Sequence, residues 1–217
     1  MYERLDECPS CQHTEFSNDI ICNDHLVSDE SFVIVKCLNC GLRFTNPRPT
    51  PENIGKYYDS EDYASHKEKG KGLLDFVYNL ARNFALKKKR SLIKRLHGAE
   101  GKLLDVGAGT GDFLKTMERG GWKVNGVELN DGAREITTGK ISGSVFQSID
   151  ELTPKKEYDV ITLWHVLEHM HDLRGTLKSL RKLLKKNGCV IVAVPNCDSW
   201  DAAHYKEMWA AYDVPRH

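Results

Sequence analysis

Leu103-Leu104-Asp105-Val106-Gly107-Ala108-Gly109-Thr110-Gly111 is the stretch on which the fold turns. The apolar run from Lys102 to Val106 has the length and composition of a parallel strand buried on both faces. Beyond the glycines, Asp112, Phe113, Leu114, Met117 and Trp122 begin a helical spacing. Gly107, Gly109 and Gly111, with Ala108 among them, therefore occupy a strand-to-helix turn. Glycine there permits a sharp bend and lets a ligand approach the main chain. Glu128 follows Gly107 by 21 residues and lies in a second apolar run, Val124 to Leu129. An acid at that distance, on the tip of the neighbouring strand, suits the hydroxyls of a ribose.

Glycine spacing separates two ligand classes. A dinucleotide turn reads G-x-G-x-x-G and aims a helix N-terminus at a pyrophosphate. This chain has G-x-G-x-G preceded by Asp105. A carboxylate there repels a pyrophosphate and attracts an ammonium, which favours a nucleoside carrying an amino acid. The pattern resembles the first motif of the class I S-adenosylmethionine-dependent methyltransferases, in which Glu128 matches the ribose-binding acid. The competing reading is a glycine-rich turn that holds nothing.

The alternation continues downstream. Val145-Phe146 is a short third strand, Tyr158 to Trp164 a fourth, Leu173 to Lys186 an amphipathic helix stopped by Asn187-Gly188, and Cys189 to Val194 a fifth strand. Strand and helix in turn predict an α/β fold, a Rossmann-like doubly wound and mostly parallel sheet. Ligands bind such sheets beyond the carboxyl ends of the strands. His165-Val166-Leu167-Glu168-His169 emerges from the fourth strand and formally matches the H-x-x-E-H zinc-protease signature. That signature needs a helix, whereas here the segment leaves a strand tip.

In context the segment resembles the L-E-H of bacterial methyltransferases that include ubiquinone-type O-methyltransferases and sugar C-methyltransferases. Phe146-Gln147, Pro195-Asn196 and the ending Asp213-Val214-Pro215-Arg216-His217 fit the same group. The sugar C-methyltransferases carry Tyr two residues before the Glu, where this chain has Val166. The resemblance implies that Asp105, Gly107, Ala108, Gly109, Gly111, Glu128, Leu129, Gln147, Ser148 and Trp164 bind S-adenosylmethionine. It makes Glu168 and His169 the acceptor-side pair, with His169 as base, Glu168 orienting it and His165 the alternate base. A helix-capping role for His169, and a divalent metal held by His165, Glu168 and His169, stay open beside that reading. The family's sheet ends in an antiparallel hairpin. Nothing after Pro195 reads as strand, so an open edge beside the fifth strand is expected, covered by a partner, by a second copy or by residues 198–217.

The N-terminal fifty residues read differently. Cys8-Pro9-Ser10-Cys11 and Cys37-Leu38-Asn39-Cys40-Gly41 are two C-x-x-C pairs with 25 residues between them. Four such thiols suit a closed tetrahedral zinc whose role is structural, and the module resembles a zinc ribbon. Cys22 and His25 form a competing pair, as in certain ribosomal-RNA guanine methyltransferases, but read here as loop residues. Asn46 to Pro51 is a proline-rich boundary. A segment rich in Tyr and His follows, either a lid or a surface helix, and then a long amphipathic helix from Gly72 to about Gly98. The expected division is a module at 1–49, a helical connector at 50–98 and a methyltransferase core at 99–217.

Lys and Arg total 31, as do Asp and Glu, so the formal net charge is zero. A neutral chain is a poor candidate for sequence-independent nucleic-acid binding, and Lys87-Lys88-Lys89-Arg90 reads as a solvated face. No apolar run reaches membrane-spanning length, and paired cysteines suit a reducing compartment, so the cytoplasm is the expected location. The expected function is methyl transfer to a small-molecule acceptor, with a sugar or cell-envelope precursor the candidate class. The rivals are methylation of an RNA base and a non-catalytic binding module.

Overall fold

The computed structural model describes residues 1–58 and 73–217, which fall into two compact units. One comprises the described chain up to Tyr58 together with Glu168–Arg174 and Val194–His217; the other holds the chain from Leu73 to Leu167 with Gly175–Ala193.

In the first unit β1 (Tyr2–Glu3) pairs antiparallel with a later strand, and β2 (Phe16–Asn23), β3 (Ser31–Cys37) and β4 (Arg43–Thr45) form an antiparallel sheet in that order. The partner of β1 is β5 (Arg48–Pro49). The sheet's inner side packs Cys22, Phe32 and Ile34 on Tyr57 and Val214. Cys22 is thus a buried residue of β2 rather than a loop residue, because its position alternates with the outward Ile21. Tyr57, in a short 3-10 turn at Ile54–Tyr58, has no exposed surface. Its hydroxyl and that of Tyr2 both reach Glu30, at 2.5 and 2.8 Å. The rest of the Tyr- and His-rich segment, from Asp59 to His66, lies outside the described residues. Arg216 is buried here, donating to Asp24 at 2.9 Å, to Asp213 at 2.8 Å and to the carbonyl of Tyr57 at 2.6 Å. A buried guanidinium is tolerated only with this degree of pairing.

The second unit begins with α1 (Leu73–His97), followed by β6 (Lys102–Val106), α2 (Asp112–Glu118), β7 (Lys123–Val127), α3 (Asp131–Lys140), β8 (Val145–Phe146), β9 (Tyr158–Trp164), α4 (Leu173–Leu183) and β10 (Leu184–Ala193). The sheet order is β10-β9-β6-β7-β8, and every pairing is parallel. The chain winds outward from β6 in one direction through β7 and β8, and in the other through β9 and β10. The glycine turn therefore leaves the sheet at the switch point, where a crevice opens. Leu103, Leu104, Val160, Ile161 and Leu163 have no exposed surface, as strands covered on both faces require. Phe113, Leu114 and Met117 of α2 and Ile93 of α1 complete the core.

The expected helix from Leu173 to Lys186 stops at Leu183, and the fifth strand starts earlier than its apolar run. Leu184 pairs with Tyr158, and Lys185 Nζ lies 2.8 Å from the Asp159 carboxylate, so residues 184 and 185 are drawn into the sheet. A register shift between Leu184 and Cys189 takes up Asn187-Gly188. Among the described residues β10 pairs only with β9, and no strand follows it. Residues 200–212 are helical instead: α5 (Trp200–Tyr205) and two 3-10 turns. No helix of the described residues is long and apolar enough to cross a membrane.

Candidate functional site

The turn after β6 is held from several sides. Gly107 and Ala108 both donate their N–H groups to the carbonyl of Val127, at 2.8 and 3.0 Å. Thr137 Oγ1 of α3 donates to the Gly109 carbonyl at 2.6 Å, and Lys140 Nζ to that of Thr110, also at 2.6 Å. Gly107 has φ +75°, and a Cβ there would lie 2.3 Å from Val166 Cγ2, so no other residue fits. Gly109 also has positive φ, but its face opens on empty space. That bare main chain is a cradle a side chain would fill. Glu128 stands beside it, accepting from Gly109 N at 2.7 Å and from Asn130 N at 2.9 Å, one bond on each oxygen. Each oxygen keeps a lone pair for a further donor. Leu129, next in sequence, is 75% exposed, an apolar side chain standing in solvent beside the cradle. Gln147 is exposed, while Ser148 caps the short turn after β8 by accepting from Asp150 N.

Beneath the turn, the carboxylate of Asp105 is 2% exposed and accepts from Thr162 Oγ1 at 2.6 Å. Burial pushes its pKa up to about 7, against the opposing pull of the Thr162 bond and the Lys89 charge. Lys89 was expected on a solvated face. Instead its ammonium lies half-buried over Trp164, 4.4 Å from the ring centroid, and 5.8 Å from that of Phe113. Lys87, Lys88 and Arg90 keep to the surface, the Arg90 guanidinium lying over Gly120. The run is split because consecutive helical residues point in different directions. Trp164 and Phe113 meet edge to face, and the buried indole N–H of Trp164 has no hydrogen-bond partner among the described residues.

His165 follows Trp164 at φ +59°, exposed, its N–H tied to the Ala193 carbonyl at 2.8 Å. This left-handed residue ends β9 sharply and turns Val166 back onto Gly107. Glu168 and His169 fall in the first unit. There the Nδ1 of His169 lies 3.1 Å from the Tyr58 hydroxyl and 3.2 Å from the Arg216 carbonyl, and its ring meets that of His217 at 4.6 Å. A carbonyl can only accept, so an Nδ1 bonded to it is the donor, and Nε2 is the nitrogen left for another partner. Ligand atoms of Glu168, His169 and His217 come within 4.8 Å of one another. The metal-capable group thus contains His217 rather than His165. Neither Tyr58 nor His217 was singled out from the sequence.

The four cysteines of the two knuckles also converge within 4.8 Å, with Cys8–Cys40 and Cys11–Cys37 sulfur separations of 3.6 Å. Sulfurs at the corners of a zinc tetrahedron stand about 3.8 Å apart, given zinc–sulfur bonds of about 2.3 Å. Each knuckle closes by the same backbone pattern: Gln12 N to Cys8 O at 2.9 Å, and Gly41 N to Cys37 O at 3.0 Å. Gln12 and Gly41 are the positive-φ residues of the two turns. The amide of His13, and then the Asn39 side chain, hold the Cys11 thiol down to about 6, which favours its thiolate.

Residues 78–217, well over half of the chain, match a family model described as a methyltransferase domain. The chain is 29% identical over 124 residues to a ubiquinone biosynthesis O-methyltransferase of Pelagibacter ubique, covering 54% of this chain and 50% of that protein. It is 32% identical over 127 residues to the enzyme of that name from Erwinia tasmaniensis, covering 53% and 51%. It spans about half the length of these curated relatives. Among solved structures, a SAM-dependent methyltransferase from Archaeoglobus fulgidus superposes with a TM-score of 0.50 at 24% identity, over 63% of this chain and 61% of that one.

Proposed function

Because the chain belongs to the methyltransferase-domain family, we propose that it transfers a methyl group from S-adenosylmethionine to a small-molecule acceptor. The observation that carries this is the open face of Gly109 with Glu128 beside it, at the switch point of a parallel sheet. The residues fit the cofactor: Glu128 has lone pairs left for ribose hydroxyls, and Asp105 is a buried acid able to receive an ammonium. Ala108, Gly107 and Gly111 shape the turn, and Leu129, Gln147, Ser148 and Trp164 are the candidates for the remaining contacts. When bound, S-adenosylmethionine supplies a methyl group activated on a sulfonium, so the protein's task is alignment and proton removal.

His169 is the candidate base, its Nε2 freed by the engagement of Nδ1. Tyr58 and the Arg216 carbonyl fix the ring, with Glu168 the further candidate for orienting it. The four cysteines hold structural zinc, an inference from their spacing and convergence. Calorimetry with S-adenosylhomocysteine, followed by transfer of a labelled methyl into a metabolite extract, tests the proposal. Binding with a labelled small product is expected; no binding at millimolar concentration would end it.

A second reading rests on the Glu168, His169 and His217 group. A carboxylate and two imidazoles suit a divalent cation that would activate an acceptor hydroxyl. Turnover that survives exhaustive chelation with zinc retained by the cysteines would exclude it.

A further inference from the structure

The groups that hold His169 reach back into the cysteine-tied strands of the same unit. Asp24, just past β2, has a side chain with no exposed surface. Its Oδ1 accepts from Arg216 Nη2 at 2.9 Å and from Leu26 N at 3.2 Å. Its Oδ2 accepts from the N–H and the hydroxyl of Ser28, at 3.0 and 2.9 Å. The guanidinium is bound as well by Asp213 and the Tyr57 carbonyl, and Thr45 of β4 donates to the His217 carbonyl at 2.7 Å. Val214 packs on Cys22, Phe32 and Ile34. The main chain of residues 213–217 is thus pinned by several strands of the module, and the Arg216 carbonyl it presents is the one that meets His169 Nδ1. A buried ion pair adds little stability over apolar packing of the same volume. What a rigid guanidinium fork between carboxylates adds is a fixed register.

We infer that Asp24 is a positioning residue for His169, acting through Arg216, so that the cysteine-tied module is part of the acceptor-side machinery. The inference rests on the reading of His169 as base and adds to it a residue of the N-terminal strands. The path is short: carboxylate to guanidinium, guanidinium to its own backbone, backbone carbonyl to imidazole. Opening the fork at Asp24 lets the turn shift, and the ring loses the acceptor that aims it. A displacement of about 1 Å at a reacting group can slow a reaction on the order of 100-fold.

Two readouts test this, with melting curves to verify that each variant is folded. The first uses nitrogen-labelled histidine at pH 8, where the His169 signals, assigned by their loss in H169Q, report which ring nitrogen carries the proton. The wild type is expected to show Nδ1 protonated, and D24N an average of the two forms. The second is labelled-methyl transfer into a metabolite extract. There D24N should lower the maximal rate at least about tenfold, with little change in the half-saturating amount of extract. V35A removes buried packing from the other face of β3 without touching the fork, and should keep the wild-type spectrum and rate. If D24N does not fold, R216K, which keeps the charge and loses the fork, takes its place with the same expectations. A folded D24N with the wild-type spectrum and rate overturns the inference, as does an effect confined to the half-saturating amount of extract. So does a V35A that disturbs His169 as much as D24N, because general loosening would then account for both. A wild type that transfers no methyl sinks the proposed function alone, and the nitrogen signals still decide the positioning role.

Discussion

The cysteine-tied unit and the parallel sheet hold their loops still by different means. In the sheet unit, the turn after β6 is locked by hydrogen bonds from β7 and α3 and by a core of fully buried aliphatic side chains. The first unit has a small apolar cluster around Phe32 and Tyr57, a buried Arg216 with its acids, and four thiols brought to one point. A short segment cannot bury enough apolar area to order itself, so polar groups and clustered thiols take over the task. The sheet unit needs none of these, and its sequence accordingly reads as apolar runs.

The largest expected effect belongs to the thiols. Removing zinc with a strong chelator, or making Cys37→Ser, should unfold the N-terminal module. The metal's contribution is on the order of 10 kcal/mol in small zinc domains. Metal analysis should find one zinc per chain, and limited proteolysis should cut between residues 1 and 50 only after chelation. Full protection without metal would remove the contrast between the units.

Next comes Arg216→Met, which leaves Asp24 and Asp213 without their cation and should cost about 3–5 kcal/mol in a denaturant titration. In the sheet unit, Gly107→Ala sets a methyl against Val166 at a positive φ. It should cost about 1–3 kcal/mol and abolish S-adenosylhomocysteine binding. Loss of binding without loss of stability would mean that the turn rearranges around the methyl group.

The last effect is a matter of sign. Burial opposes ionisation of Asp24, but its bonds to Arg216 and Ser28 prevail and hold its pKa below the ordinary value. Its share of stability is present above the unfolded pKa and lost as pH falls through the folded one. Asp105 is raised to about 7 by burial, so the folded chain binds its proton more tightly than the unfolded one. Its contribution is therefore favourable in acid and is lost as pH rises from about 4 toward 7. Asp105→Asn should raise the melting temperature at pH 8 and do so less at pH 5, whereas Asp24→Asn should lower it at pH 8. Melting curves at the two pH values read both signs.

Much of the sheet was legible because buried parallel strands need apolar runs: β6, β8 and β9 stand where those runs lie. The end of α4 was not, since Lys185 and Asn187 look helical or turn-forming until Asp159 is seen to pull the first of them into the sheet. The cysteine tetrad could be read from local spacing alone. Tyr58 and His169 meet across 111 residues of sequence, and no periodicity reports such a pairing. His217 stood in view within the terminal motif, yet only the fold brings its ring to His169. Lys89 was hidden differently, by neighbours of the same charge whose side chains leave the helix in other directions.

The grip of α3 on the nucleotide-type turn has a consequence for engineering and for descent alike. Thr137 and Lys140 hold the carbonyls of Gly109 and Thr110, so the glycine segment is only half of a two-part device. Transplanting residues 105–111 into another sheet without a hydroxyl and an ammonium one crossover later would carry over the letters and leave the shape behind. Sequences that vary at 137 should therefore keep a small hydroxylated side chain there or reshape the turn itself.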